Sequence, residues 1–164
     1  MIRRFLACER GSPAAEFVLA LPIMFALLFG GLEAGHFFWT EHKLIKSVRE
    51  GARYASRLPV EDLCEGANVV MSSDIEGNIQ NVTATGTLDG QTAKVPGWNP
   101  EDVEVTVGCQ DFVATGMYTG LGEAGPMITV ASGTVNYPSM FESLGFIDSS
   151  FQLSARSSSA VMGI

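Results

Sequence analysis

Few side chains in this 164-residue sequence have the types and spacing that catalysis requires. Both histidines, His36 and His42, lie in the first third of the chain, so the remainder has no imidazole. The sequence also has no Gly-Lys-Ser/Thr phosphate loop, no nucleophile elbow and no Cys-x-x-Cys zinc spacing. Its Asp and Glu residues are scattered, as on a solvated acidic surface, rather than paired. We therefore expect no enzymatic activity, no catalytic residue, no metal site and no cofactor.

The cysteines lie on both sides of a long apolar segment. Cys8 precedes this segment, whereas Cys64 and Cys109 follow it. If the part that follows is exported, Cys64 and Cys109 can form a disulfide in an oxidising compartment. Two free, buried thiols are the alternative.

Glu33 is a carboxylate deep in apolar sequence. It follows the uncharged run 17–32 and precedes the aromatic residues Phe37, Phe38 and Trp39. An ionisable group in such a place is costly unless it has a partner. The partner is either a second helix in the membrane or His36, as a local i,i+3 pair.

A long helix must hold these residues. As a helix, residues 17–39 extend about 34 Å at about 1.5 Å per residue, enough to cross a hydrocarbon core of about 30 Å. The following residues are amphipathic, and no Ala-x-Ala-like cleavage site interrupts the pattern. Gly31 and Gly35 have GxxxG spacing, which favours either close helix approach or simple packing tolerance. We predict one helix, membrane-embedded first and solvated later.

Charge is divided unevenly along the chain. Residues 1–57 hold eight Lys/Arg and five Asp/Glu, whereas residues 58–164 hold two and thirteen. Because residues 58–164 are strongly acidic, they repel nucleic acid, whose binding requires neutralisation of its phosphates. The basic N-terminus favours a cytoplasmic start, although the five Lys/Arg from Lys43 to Arg57 oppose the usual charge bias. From its acidity and its two cysteines we expect the C-terminal part to be exported.

Three stretches carry a family resemblance. Residues 10–17 (RGSPAAEF) resemble the processing site of type IV-like prepilins. Residues 31–35 (GLEAG) and 49–55 (REGARYA) resemble the signature stretches of TadE-like proteins (TadE/TadG). These are minor pilins or pseudopilins of the tight-adherence (Flp) type IV pilus system. Residues 128–138 also resemble the C-terminal part of that family.

The resemblance implies a processing and assembly chemistry. A prepilin peptidase would cut between Gly11 and Ser12 and leave Glu16 at the fifth position of the mature chain, followed by Phe17. Glu16 would then pair with the N-terminal ammonium of a neighbouring subunit, or serve as an ordinary first-turn carboxylate favoured by the helix dipole. Pro13 departs from the small residue usual in the family, but proline is tolerated in a first helical turn.

The chain as a whole predicts an α+β protein. We expect a leader at 1–11, a transmembrane and stalk helix at 12–57 and an exported domain at 58–164. In that domain the patterns predict an antiparallel sheet packed with a short helix. The expected elements are a helix at 63–71, a polar turn-like stretch at 72–81, a hairpin at 82–95 with Asp89-Gly90 at its tip, a surface loop at 112–126 and strands at 102–109, 127–137 and 151–162.

The functional expectation is a minor pilin or pseudopilin for pilus assembly or the pilus tip, surface adhesion and biofilm formation. Its expected partners are the prepilin peptidase, other pilins, the assembly platform and the membrane, with Glu16, Gly31, Glu33 and Gly35 as contact residues. It would reside in the bacterial inner membrane with its C-terminal domain in the periplasm, or in the extracellular pilus. The alternatives are a membrane-anchored periplasmic binding module that does not polymerise and an anchored hydrolase.

Overall fold

The computed structural model describes residues 12–112, 125–141 and 151–163. Gly11 and the rest of the expected leader lie outside the described residues, as does most of the expected glycine-rich loop. The described chain consists of a long N-terminal helix followed by short helices and small antiparallel sheets. The predicted α+β class is therefore confirmed.

The first element, helix α1, spans Ser12–Ala55 and has 44 residues, with Pro22 inside it. Its length is about 66 Å at about 1.5 Å per residue. Side chains from residue 14 to residue 32 are nearly all exposed, and burial begins at Glu33. We call residues 14–32 the bare half of α1, residues 33–55 the packed half, and residues 58–164 the head domain. The helix ends two residues before the predicted position, at a turn through Ser56 and Arg57.

The predicted helix at 63–71 is wrong. A four-residue helix, α2 (Val60–Leu63), is followed by two short antiparallel strands, β1 (Cys64–Glu65) and β2 (Asn68–Val69). Gly66 lies between these strands with a φ of 62°. This left-handed conformation suits glycine and is incompatible with a continuing right-handed helix.

The predicted polar turn and the hairpin after it are also wrong, because helix α3 (Ser73–Thr85) occupies most of this stretch. The Ser72 side chain accepts a hydrogen bond from the Ile75 N–H, so it caps the N-terminus of α3. Gly86 ends the helix in the left-handed conformation. Asp89 and Gly90 follow in a loop rather than between two strands.

The strands form the sheet where the sequence predicts it. Strands β3 (Glu104–Phe112), β4 (Gly125–Ala131) and β7 (Arg156–Ala160) are antiparallel in the order β3-β4-β7. The two later predicted strands are interrupted. The chain leaves β4 at Ser132-Gly133, and a separate pair forms from β5 (Val135–Asn136) and β6 (Gln152–Leu153).

The core lies between the packed half of α1, α3 and the sheet. Helix α1 contacts α3, β4 and β7, and the disulfide between Cys64 and Cys109 joins β1 to β3. The indole Nε1–H of Trp98 donates to the Ser132 carbonyl oxygen at 3.0 Å, which satisfies a buried donor. The fully buried apolar side chains include Leu44, Val48, Ala52, Leu63, Ile79, Val95, Val103, Ile128 and Val130.

Candidate membrane-anchoring and assembly site

The bare half of α1 is an uncovered apolar surface. Its 19 residues (14–32) extend about 28 Å, close to the thickness of a hydrocarbon core. The most apolar 18-residue window of the helix has a mean hydropathy of 2.1, and none of it is buried. By length and composition the helix is able to cross a membrane. A core helix of a water-soluble protein would instead be mostly covered, so this exposure suggests membrane anchoring.

The head domain covers one side of α1 from about residue 29 onward. The Phe29 ring packs edge-on against Phe141 with 5.5 Å between ring centroids. One turn after Glu33, the Phe37 ring packs in the same way against Tyr137 at 5.2 Å. The last two turns of the apolar run at 17–39 therefore already contact the head domain, through residues such as Phe37.

Glu33 is buried at this boundary. Its side chain is 8% exposed, and among the described residues neither carboxylate oxygen has a hydrogen-bond partner. The Tyr137 hydroxyl donates instead to the Glu33 backbone carbonyl at 3.3 Å, and His36 Nδ1 lies 2.8 Å from the same hydroxyl oxygen. The local Glu33–His36 pair considered from the sequence is therefore not formed.

Tyr137 is the residue of the head domain that closes this site. Burial raises the pKa of Tyr137 to about 12, and the neighbouring Glu33 carboxylate adds to the shift. The phenol therefore keeps its proton at neutral pH and stays available as a donor. Sequence reasoning did not identify Tyr137 as a site residue, because 104 positions separate it from Glu33 and no local pattern signals such a contact.

A cavity of about 350 Å³ opens beside Glu33. Its walls are apolar apart from the Glu33 and Tyr137 side chains, and they are formed by Gly30, Glu33, Ala34, Phe37, Phe38, Tyr137 and Phe151. Among the described residues, no atom outside the backbone of the helix itself lies within 4 Å of a Cβ atom added at Gly30, Gly31 or Gly35. The described part of the chain therefore leaves the helix surface beside the cavity open to another helix.

The residues of the expected processing site lie at the start of α1. Ser12 is the first described residue of α1, and Glu16 and Phe17 follow within its first two described turns with exposed side chains. They are separated from Glu33 by most of the bare half. The predicted contact residues therefore lie near the two ends of the bare half, with Glu16 near one end and Gly31, Glu33 and Gly35 at the other.

An ion pair joins the packed half to the head domain. The Lys94 ammonium lies 2.6 Å from a Glu50 carboxylate oxygen. The hydrogen bond from Lys94 lowers the pKa of Glu50 below its usual value. A second cation, Lys46, lies 3.9 Å from the other Glu50 oxygen, but its side chain is largely exposed. No local sequence pattern predicts the Glu50–Lys94 pair, because 44 positions separate its two members.

The described residues contain no group of three or more His, Cys, Asp or Glu side chains placed to hold a metal ion. What the described chain does contain is a helix that is apolar on all sides and then becomes part of a domain core. This is the architecture of a helix-anchored α+β protein.

Comparison with known protein families finds a match that falls on helix α1. Residues 11–53 match the model of a family described as TadE-like protein. The matched segment is almost the whole of α1, so it confirms the resemblance inferred from residues 31–35 and 49–55. It associates the chain with the tight-adherence pilus system. No curated protein and no solved structure matches the chain.

Proposed function

We propose that this chain is a non-enzymatic minor pilin or pseudopilin of a tight-adherence pilus. The bare half of α1 holds the chain in the inner membrane, and the head domain extends into the periplasm until assembly. The observation that carries the proposal is the continuity of α1, whose bare half is suited to lipid or to other helices while its packed half is core of the head domain. The family match falls on this same helix.

The packing of α1 restricts how the chain can be processed. Leu44, Val48 and Ala52 are each 1% exposed within the head-domain core. A signal peptidase that cut after the apolar run would detach α1 from its anchor and leave the core helix with a new end. Cleavage between Gly11 and Ser12 instead keeps all of the described helix, Ser12–Ala55, in one piece. This supports a prepilin peptidase as the processing enzyme.

The bare half also supplies a surface for assembly. Large apolar side chains such as Leu19 and Leu27 are about three-quarters exposed, at 75% and 73%. In a membrane this surface contacts lipid, and in a filament the same surface contacts neighbouring helices. The proposed contact positions on this helix are Glu16, Gly31 and Gly35. In the assembled filament the Glu16 carboxylate would pair with the N-terminal ammonium of Ser12 in a neighbouring subunit.

The disulfide and the charge of the head domain support a periplasmic location. The Cys64–Cys109 bond requires an oxidising compartment, and the cytoplasm keeps thiols reduced. The thirteen acidic residues of positions 58–164 suit a solvated surface outside the cell interior.

N-terminal sequencing of the mature chain from its native cells tests this function most directly. We expect a first residue of Ser12 and expect a Gly11→Leu variant to keep its leader, because a branched side chain before the cut obstructs the peptidase. Gly30→Leu is the matched control, with the same substitution at a glycine far from the expected cut, and it should be processed normally. A mature wild-type chain that starts at Met1 would contradict the proposal.

Deletion of the chain separates the proposal from the alternative of a binding module that does not polymerise. An assembly component is required for pili, so its deletion should strongly reduce the pili recovered by shearing. The binding module predicts a normal quantity of sheared pili in the same deletion strain. Complementation with the wild-type chain is the control.

A further inference from the structure

We propose that the cavity at Glu33 binds a Lys or Arg side chain carried by the membrane helix of a different subunit. The proposal rests on the proposed assembly function and deepens it by naming the chemistry of the partner. Its starting point is the buried carboxylate, which the assembly function by itself leaves unexplained.

Neither oxygen of the Glu33 carboxylate has a hydrogen-bond partner of good geometry within the described residues, although the carboxylate is near enough to the Tyr137 hydroxyl to raise the pKa of that phenol. The Glu33 side chain is 8% exposed. The nearest polar groups are already engaged, because the Tyr137 hydroxyl donates to the Glu33 carbonyl and contacts His36 Nδ1. A buried carboxylate in apolar surroundings is costly, and such residues pair with another group in membrane proteins.

The walls of the cavity favour a cation on a long apolar stem. Phe37, Phe38, Phe151 and Tyr137 contribute aromatic rings to a space of about 350 Å³. Aromatic faces attract ammonium and guanidinium groups, and the methylene groups of Lys or Arg pack against apolar surface. The charged end supplies several N–H donors to the two carboxylate oxygens.

An identical copy in the same register cannot supply this cation. The sequence contains no Lys or Arg between residues 11 and 42, and Lys43 is the first one after the leader. Two α1 helices side by side would place Glu33 near the other Glu33, with like charges close together. Bringing Lys43 to the level of Glu33 would require a shift of ten residues, about 15 Å along the axis. The charge pattern therefore indicates a different chain with a basic residue in its apolar helix.

The surface beside the cavity gives such a helix access. Gly30, Gly31, Ala34 and Gly35 are small, and within the described parts of the chain no atom outside the helix backbone lies within 4 Å of a Cβ added at any of the three glycines. Small residues allow two membrane helices to approach closely. A second helix along this surface would bring a long side chain to the cavity that Glu33 lines.

Binding of a synthetic helix tests the proposal. The full chain is placed in phosphatidylcholine bilayer discs with an apolar Leu/Ala transmembrane peptide that carries one Lys near the end of its apolar run. A matched peptide carries norleucine at that position, and association is measured by energy transfer. We expect wild-type chain to bind the Lys peptide about tenfold more tightly than the norleucine peptide, in the range of interhelical polar contacts in membranes.

Two variants assign this preference to one carboxylate. Glu33→Gln should reduce the preference for the Lys peptide to less than about twofold, since the amide has no charge to pair. Glu41→Gln removes the same charge two turns further along α1, outside the cavity, and should keep the full preference. The comparison of the two peptides on wild-type chain does not depend on whether either variant folds.

Four results would overturn the proposal. Two concern the peptides: equal binding of both peptides to the wild-type chain, and a preference for the Lys peptide that persists in Glu33→Gln. The third is self-association of the chain that depends on Glu33, and the fourth is loss of the preference for the Lys peptide when phosphatidylethanolamine replaces phosphatidylcholine. The last result would assign the cavity to a lipid ammonium group. Processing at Gly11 is measured separately, so a chain that begins at Ser12 but shows no peptide preference refutes the cavity proposal and leaves the assembly function standing.

Discussion

The two halves of α1 have the same secondary structure and opposite surroundings. In the bare half, side chains such as Leu27 are exposed around the whole circumference of the helix. In the packed half, Leu44 and Val48 are fully buried on one face, while Lys46 and Arg49 are exposed on the other. A helix that is apolar on all sides needs a surrounding apolar phase, whereas a one-sided helix needs a single partner surface. One continuous helix here does both.

Substitutions in the two halves of α1 should therefore change different properties of the protein. The packed half shares its core with the sheet and α3, so its substitutions should change the free energy of unfolding of the head domain. The bare half has few contacts with the described residues of the head domain, such as that of Phe29 with Phe141, so its substitutions should change membrane or subunit contacts instead. Trp98, which is 1% exposed in the core, reports on the head domain by its fluorescence. Replacement of the exposed Trp39 by Phe makes that signal specific.

Loss of the disulfide should have the largest effect on the head domain. The Cys64–Cys109 bond closes a loop with a sequence separation of 45. Replacing both cysteines by Ser should lower the free energy of unfolding by about 4 kcal/mol, because the unfolded chain gains loop entropy. Denaturant unfolding of the full chain in detergent, followed by Trp98 emission in the Trp39→Phe background, measures this. Cys8→Ser is the control and should leave the free energy of unfolding unchanged. If the double variant is as stable as Cys8→Ser, the prediction is contradicted.

A leucine in each half gives the next largest difference. Leu44→Ala should lower the free energy of unfolding by about 3 kcal/mol, because it leaves a cavity in the core. Leu27→Ala makes the same change at a side chain that is 73% exposed, so it should alter the stability of the head domain by less than about 0.5 kcal/mol. The same unfolding measurement compares the two. Equal losses would show that the bare half is also part of the domain core.

Glycine positions extend the comparison to the backbone. A Cβ atom at Gly51 would overlap the Thr83 side chain, where α1 and α3 cross closely. Gly51→Ala should therefore destabilise the head domain by about 2 kcal/mol, the typical cost of overpacking.

Gly35→Ala is the matched control, because in the described chain no atom outside the helix backbone lies within 4 Å of its added Cβ. Both substitutions bring a similar gain in helix propensity, so Gly35→Ala should not lower the free energy of unfolding measured by Trp98. If Gly51→Ala is as stable as Gly35→Ala, the close approach of α1 and α3 is not required for folding.

The Glu50–Lys94 pair should give the smallest effect, with a pH dependence of known sign. Lys94 lowers the pKa of Glu50 in the folded protein, so the pair stabilises the fold above the unfolded carboxyl pKa of 4.5 and is lost as the pH falls through the folded value. Because the Glu50 side chain is 40% exposed, we expect less than about 1 kcal/mol.

Lys94→Met should remove this contribution and flatten the acid side of the stability profile below about pH 5, where the unfolded carboxyl begins to bind protons. Lys46→Met is the control, since Lys46 is 79% exposed and lies 3.9 Å from Glu50. It should leave the profile nearly unchanged. A Lys94→Met profile that retains the wild-type slope would exclude the ion pair as its cause.

The correct and incorrect sequence predictions differ in how local their signals are. The sequence predicted α1 from an uncharged apolar run followed by helical periodicity, and β3 from alternating residues such as Val103, Val105 and Val107. Helix α3 was missed because its apolar residues are sparse and its stability depends on contact with α1. The Asp89-Gly90 pair was interpreted as a hairpin tip, but its flanking residues have no partner strand and belong to α3 or a loop.

The candidate site likewise combines a residue with a local sequence signal and contacts that have none. Glu33 was recognised from the sequence because a carboxylate in an apolar run is unusual by itself. Its burial was not predictable, because it depends on Tyr137, which reaches α1 from the end of β5. The same holds for the Glu50–Lys94 pair, whose members belong to α1 and a loop after α3.

The sequence alone determined the length and position of the apolar helix, the charge contrast between helix and head domain, and the class of protein these imply. Each depends on composition and periodicity within neighbouring residues, which act whatever the rest of the chain does. The tertiary structure decided where the exposed apolar surface of α1 ends and that Glu33 is buried beside a cavity. These depend on contacts between residues about one hundred positions apart, and such contacts exist only after the sheet has packed against α1.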